Sequence, residues 1–396
     1  MQLPKRHKSS WVSLLALATL ACSAKSPASL GSLTQNHLLF PLAGLKNWLV
    51  RRRSHRVDEQ LVASCTRKRL DDDPPSTDRV TVQLFQWRYS DVGDECEAFL
   101  GPNGYRYVQV SPPHEHIEGP QWWTDYQPVS YRIGSKRGSE AEFDRMVQRC
   151  GGAGVGVIVD VVLNHMSAGS TTEYRRGSSG SSYRKYEYPD TPPLVEFTSS
   201  RPRTILSECF CSHSQIFVTN WDLERNEHGI RIDKDPGAYL LCQVFILTWG
   251  YGQVDVFSGY HFSAYDDGPQ DPVAQCGRFG WRCEHRHPMV VGAIQLGAAA
   301  SDQPVHNIIT SGAHRLAFSR GSKVFVAINN DDSAWVLRDV VVGLPLPASP
   351  EDAYRDRLHP AGEGQLVHLQ PDPSSGLARL CPLTIAPRSA IGIMVV

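Results

Sequence analysis

The side chains best suited to chemistry are concentrated between residues 107 and 165. That stretch reads YVQVSPPHEH, then PQWWTDYQPVSYRI, then SEAEFDRMVQRCGGAGVGVIVDVVLNH. Trp122, Trp123 and Tyr126 fall in a segment bearing Pro and Gln. Large aromatics on a loop anchor or stack a ligand, or else plug the space beneath the loop. Asp160, Asn164 and His165 come at or just beyond the end of an apolar run, bringing a carboxylate, an amide and an imidazole to one place. Strands that end in polar groups are how one rim of a parallel α/β barrel is furnished for chemistry.

The elements that must position these groups are readable. Ser139 and Glu142 form an S-x-x-E capping box, which satisfies orphan amide donors at a helix start. Phe143, Met146, Val147 and Cys150 then recur at i, i+3, i+4 and i+7, which predicts one buried helical face. Residues 155–159 are a nearly continuous apolar β-branched run, as expected of a parallel strand covered on both faces. Further strands are expected at residues 80–87, 107–110, 215–220 and 251–260, with helices through Cys96 and Leu100 and through Tyr239 to Trp249. From about residue 313 short alternating runs separated by Gly, Asn, Asp and Pro predict an antiparallel sandwich.

VQVSPP, WWTDYQPVSY and VDVVLNH, in this order and at this spacing, resemble the animal-type α-amylases of the starch-hydrolysing glycosidases. The similarity runs from about residue 81 to 165, resumes near 217 and continues more loosely to the C-terminus. It implies a (β/α)8 TIM-type barrel followed by a C-terminal antiparallel β-sandwich. It also implies secretion and endo-hydrolysis of α-1,4-glucosidic bonds in starch or glycogen with retention. By resemblance Trp122, Trp123, Tyr126, Gln127 and His165 contact sugar, Asn164 is a calcium ligand, and Cys96–Cys150 and Cys276–Cys283 are disulfides. The Trp rings suit glucose because the C–H face of a pyranose is apolar. His165 also admits a plainer reading, a histidine hydrogen-bonded within the rim. Asp160 is read as structural. Thr219-Asn220-Trp221-Asp222 matches the family's late-barrel motif, with Trp221 standing where His is usual, and makes Asp222 the catalytic carboxylate that holds the distorted ring.

The barrel arithmetic does not close. Only 49 residues separate His165 from Gln215, where three βα units of about 30 residues each are required. The expected fold is therefore a barrel incomplete in the middle, lacking most of units 4 to 6. Those units carry the nucleophilic Asp and the acid Glu, which in a retaining glycosidase stand about 5–5.5 Å apart. Two residues imitate the missing pair. Asp233 lies in GIRID, a motif like the nucleophile's, but follows Asp222 where the family order puts it first. Glu208 lies in a segment faintly like the acid's strand. The calcium site is expected to be incomplete. Chloride dependence is not expected, because Asp255 stands where the family has an Arg.

Acidic and basic residues balance, 41 against 40, which gives no electrostatic footprint for nucleic acid. Lys5, Arg6 and Lys8 precede an apolar run at 11–21 and small residues at 21–24, an order that matches a secretory signal over residues 1–24. The run is too short to span a bilayer. Ten cysteines agree with an oxidising, extracellular location. Residues 25–78 alternate charge runs without period and are read as unassigned and poorly ordered. The barrel is expected over 79–298 and the all-β domain over 299–396. The expected partners are starch, glycogen or malto-oligosaccharides, with no nucleic acid or membrane and a monomeric chain. The alternative is a catalytically inactive glucan-binding protein or a mis-assembled fragment.

Overall fold

The computed structural model describes residues 80–163, 165–189, 215–347, 353–360, 362–373 and 378–395. The expected signal, the segment 25–78, Asn164 and Glu208 lie outside these residues. The first half contains β1 (Val80–Leu84), α1 (Tyr89–Glu95), β2 (Tyr105–Val110), β3 (His114–His116), β4 (Pro128–Ser135), α2 (Glu140–Gly152) and β5 (Gly156–Val159). Then follow β6 (Gln215–Phe217), α3 (Trp221–Arg225), α4 (Pro236–Trp249), β7 (Gln253–Ser258) and α5 (Pro288–Ala299).

Five strands form one parallel sheet in the order β5-β2-β1-β7-β6. The late strand β7 lies directly beside β1, with Thr81 opposite Asp255 and Leu84 opposite Ser258. First-to-last pairing is how a barrel closes on itself. The sheet centre is apolar and dry: Val82, Leu84, Val108, Val110, Val254 and Val256 are buried.

The edges behave differently. Among the described residues β5 and β6 have no strand on their outer sides, and Ile158, Val159, Val161, Leu163 and Phe217 are exposed, Leu163 by 68%. The expectation that residues 155–159 are covered on both faces is therefore corrected, since β5 is an edge strand. The same position explains α2. Its capping box forms as predicted, and Met146 and Cys150 are buried. Val147 is 39% exposed, because the buried stripe faces α1 and no described helix packs on the other flank.

Helices α4 and α5 pack against each other, and α4 also against β6 and β7. Pro236 opens α4 behind an Asp235 cap, and Gly250 ends it at φ 85°, where a side chain would be strained. The remaining chain builds a four-stranded antiparallel sheet of β8 (Val305–Thr310), β9 (Arg315–Arg320), β10 (Val324–Asn329) and β11 (Ser389–Met394). Short strands including Trp335–Leu337 and Leu383–Ile385 enclose a core of Phe325, Ala327, Trp335, Leu337, Ile385 and Ile391. Buried Arg320 ties this sheet to the helices by donating to the carbonyls of Thr248 (2.6 Å), Ala300 (2.7 Å) and Gln303 (2.8 Å). Cys96–Cys150 and Cys276–Cys283 are disulfide-bonded, while Cys242 is a buried free thiol.

Candidate functional site

The C-terminal ends of the parallel strands converge on an aromatic nest. Phe85, one residue beyond β1, stacks on Trp221 (centroids 6.0 Å, 3° between planes) and on Tyr260 (6.0 Å, 7°). The turn Trp122–Tyr126 closes over them. Trp221 lies 4.9 Å from Trp122 and 5.0 Å from Tyr126. The residue standing where a histidine is usual thus serves as packing for its neighbours. Trp122 is itself only 4% exposed and donates through Nε1 to the Tyr265 carbonyl at 2.8 Å. Trp123 is partly open and is the ring of the pair with a face to offer, its Nε1 held by Asp266 Oδ1 at 2.9 Å.

Several polar candidates come together around Tyr126. Its hydroxyl donates to Asp160 Oδ2 at 2.7 Å, and its carbonyl meets His165 Nε2 at 2.9 Å. Gln127 Oε1 accepts from the Ala168 amide at 3.1 Å. Burial, reinforced by the negative charge of Asp160, pushes the Tyr126 hydroxyl well above its ordinary value. Asp160 is raised by burial, partly offset by the Tyr126 hydrogen bond. The negative charge of Asp222 adds a smaller contribution to the same rise of the Tyr126 hydroxyl.

Asp222 sits in the first turn of α3, a helix started by Asn220, whose side chain accepts from the Leu223 amide at 2.9 Å. Its side chain is exposed to solvent and its carboxyl is raised by desolvation. Glu224, two residues on, is buried behind the helix against Arg282 Nη2 at 2.6 Å, and burial pushes it up to about 7. Side chains two apart on a helix do not share a face, so this acid cannot partner Asp222. Asp233 is occupied by Arg231 (2.9 and 2.6 Å), Arg282 and His261. Burial raises its carboxyl, but Arg231 and Arg282 outweigh that and hold it below the ordinary range.

Sequence reasoning missed the loop 260–268 and its anchor. Arg225 donates to the carbonyls of Ala264, Tyr265 and Asp267 and lies 3.6 Å over the Phe262 ring. Through that loop it holds Trp122 and Trp123 in place. The run YHFSAYDD, aromatics followed by acids directly after a strand, was the available signal.

The chain has relatives in sequence. The α-amylase of Streptomyces violaceus is 29% identical over 385 residues, covering 66% of this chain and 67% of that protein. That of Aeromonas hydrophila is 28% identical, covering 66% and 87%, and the α-amylase-related protein of Drosophila willistoni 27% identical, covering 63% and 81%. The chain is similar to α-amylases. It spans about two thirds of the length of the Streptomyces and Thermomonospora curvata α-amylases it matches. No protein-family model matches the chain. In fold it is similar to α-amylase I of Eisenia fetida, both the wild type and a point mutant in complex with maltohexaose, at a TM-score of 0.67 and 21% identity. Each alignment covers 82% of this chain and 98% of the other.

Members of the α-amylase family often bind calcium. Among the described residues no three His, Cys, Asp or Glu side chains come together as a metal site. Asp255 is hydrogen-bonded by Gln215, and burial pushes its carboxyl up to about 6. No described helix is long and apolar enough to cross a membrane.

Proposed function

We propose that this chain binds α-1,4-linked glucans at the Trp123, Tyr126, Gln127 and His165 rim, and that hydrolysis has been reduced below detection in this α-amylase relative. The observation that carries the reading is the rim itself. A partly exposed indole stands in the turn Trp122–Tyr126, whose Tyr126 carbonyl meets His165 and which leads into Gln127, beyond the carboxyl ends of parallel strands, where barrels of this kind bind their ligands. Trp123 stacks on a glucose ring while the amide and imidazole fix its hydroxyls.

The loss of hydrolysis rests on length. The match to the Streptomyces enzyme extends over 385 residues but draws on 66% of 396, about 261, so this chain is about 120 residues shorter within the matched stretch. The unpartnered outer sides of β5 and β6 lie where such a shortfall would fall. Retaining cleavage requires two carboxyl groups about 5–5.5 Å apart. Asp222 supplies one rim carboxylate, Asp160 is engaged by Tyr126, and Asp233 by two arginines. Asp255 in place of an Arg disfavours a halide by simple repulsion, so no chloride requirement is proposed. Secretion into an oxidising extracellular medium and a monomeric state complete the reading.

Retention of the purified chain on insoluble starch tests it. Wild type is expected to co-sediment, and Trp123→Ala to lose at least tenfold in affinity; equal retention of both overturns the rim assignment. The second reading, endo-hydrolysis with retention, is favoured by the exposed position of Asp222 on α3. Reducing sugar released by wild type but not by Asp222→Asn establishes it in place of the first.

A further inference from the structure

The mouth of the parallel sheet is closed by aromatic rings. Phe85 and Tyr260 are each 2% exposed and Trp122 4%, so none of the three offers a face that a solute in water can reach. Trp221, the first residue of α3, is only partly buried. Its plane lies 3° from that of Phe85, which in turn lies 7° from that of Tyr260. Tilted contacts to Trp122 (4.9 Å, 52°) and Tyr126 (5.0 Å, 34°) join the same indole to the turn Trp122–Tyr126. Trp221 thus bridges the end of β1 and the turn that carries Trp123.

The helix holds this indole in place. Asn220 starts α3 by accepting from the Leu223 amide at 2.9 Å. Three and four residues after Trp221, and so on its side of the helix, Glu224 and Arg225 are buried. Glu224 meets Arg282 Nη2 at 2.6 Å, and Arg225 donates to the carbonyls of Ala264 (3.2 Å) and Tyr265 (3.1 Å). Rolling α3 to turn the indole outward breaks these bonds. Swinging the side chain alone returns Phe85 and Trp122 to water, an uncompensated loss of buried apolar area. A sugar stacks its apolar C–H face on an open aromatic plane. With Phe85, Trp122 and Tyr260 shut away, a glucan at this rim meets Trp123, Gln127 and His165 from outside, and no single ring drops between the strand ends. Outward contacts alone hold one sugar unit weakly and gain from several linked units.

We infer that Trp221 is a specificity-determining plug, which bars a lone pyranose from the mouth of the sheet and makes the rim select extended glucan chains over mono- and disaccharides. The inference rests on the glucan reading of the rim. Removing the indole leaves a space walled by Phe85, Trp122 and Tyr126, and an apolar space of about 150 Å³ made by truncating a core side chain stays open and takes up a six-membered ring. The test uses the full chain, with maltose and maltohexaose as probes and calorimetry as the readout. Wild type is expected to bind maltohexaose at least tenfold more tightly than maltose. Trp221→Ala is expected to bind maltose at least tenfold more tightly than wild type does. Trp221→His, which keeps a smaller planar ring against Phe85, is the second variant with the same expectation, and cooperative urea unfolding verifies that each is folded. A residue that merely buttressed the rim would on removal weaken both sugars. A maltose gain below tenfold in the folded variants, weaker maltose binding in them, or a wild type that holds maltose as tightly as maltohexaose each overturns the inference. Failure of the rim reading shows instead as starch retention indifferent to Trp123→Ala, which leaves the maltose comparison between wild type and the Trp221 variants standing.

Discussion

Asp222 and Glu224 are two residues apart in one short helix and have opposite environments. Asp222 faces solvent at the rim, while Glu224 is sealed against Arg282 with one oxygen, Oε1, lacking any hydrogen-bond partner. Neutralising Asp222 should therefore cost little stability. Asp222→Asn is expected to shift the unfolding free energy by under ~0.5 kcal/mol, in the range of surface substitutions, and to leave starch retention intact. A denaturant titration together with starch co-sedimentation checks both. Glu224→Ala, by contrast, takes one of three carboxylates from the buried Arg282 guanidinium and is expected to cost several-fold more.

At the scale of elements, two charged contacts join distant segments. Glu95, at the end of α1, accepts from His285 Nε2 at 2.8 Å and Arg286 Nε at 2.7 Å. Burial raises its carboxyl, but these two partners outweigh it and hold it at about 2, below its ordinary 4.5. A depressed acid contributes stability that is fully present above its unfolded value and is lost as pH falls through the folded one. Stability is thus expected to fall by at most ~3 kcal/mol between about pH 4.5 and 2. Glu95→Gln should flatten that slope and lower stability at pH 7, as read from urea unfolding across pH. Arg320 is the second contact. Arg320→Met removes donors from the buried carbonyls of Thr248 and Ala300 at the ends of α4 and α5, and from the carbonyl of Gln303 just beyond. It is expected to cost ~2–4 kcal/mol, visible as a lower denaturation midpoint at unchanged slope.

Much at this scale was legible beforehand. The Ser139–Glu142 box, the α4 segment and the β7 strand follow from local pattern, because capping and apolar periodicity are properties of neighbouring residues. The exposure of Val147, Ile158 and Val159 did not, because an apolar run reads alike whether or not another element arrives to cover it. At the rim, the grouping of Tyr126, Gln127 and His165 was visible in motif spacing. The burial of Trp122 beneath Trp221, and the clasp of Arg225 on the loop 260–268, depend on contacts between residues far apart along the chain, which no local pattern encodes.

For the whole molecule, the consequence of the open sheet is solvent contact along β5 and β6. Ile158, Val159, Val161, Leu163 and Phe217 lie on or beside outer strands with free backbone edges among the described residues, the situation that promotes association. The native protein is expected to bind an apolar dye such as ANS without denaturant, and Val159→Lys with Val161→Lys to reduce that signal and raise solubility. A native protein that leaves the dye dark contradicts this account of the edges. The central claim, a glucan-binding rim without turnover, is tested most directly by titrating maltohexaose into the purified chain in a calorimeter. Binding without turnover predicts saturable heats, each returning to the starting baseline. A sustained heat after each injection that vanishes in Asp222→Asn contradicts the claim and makes the chain a working hydrolase.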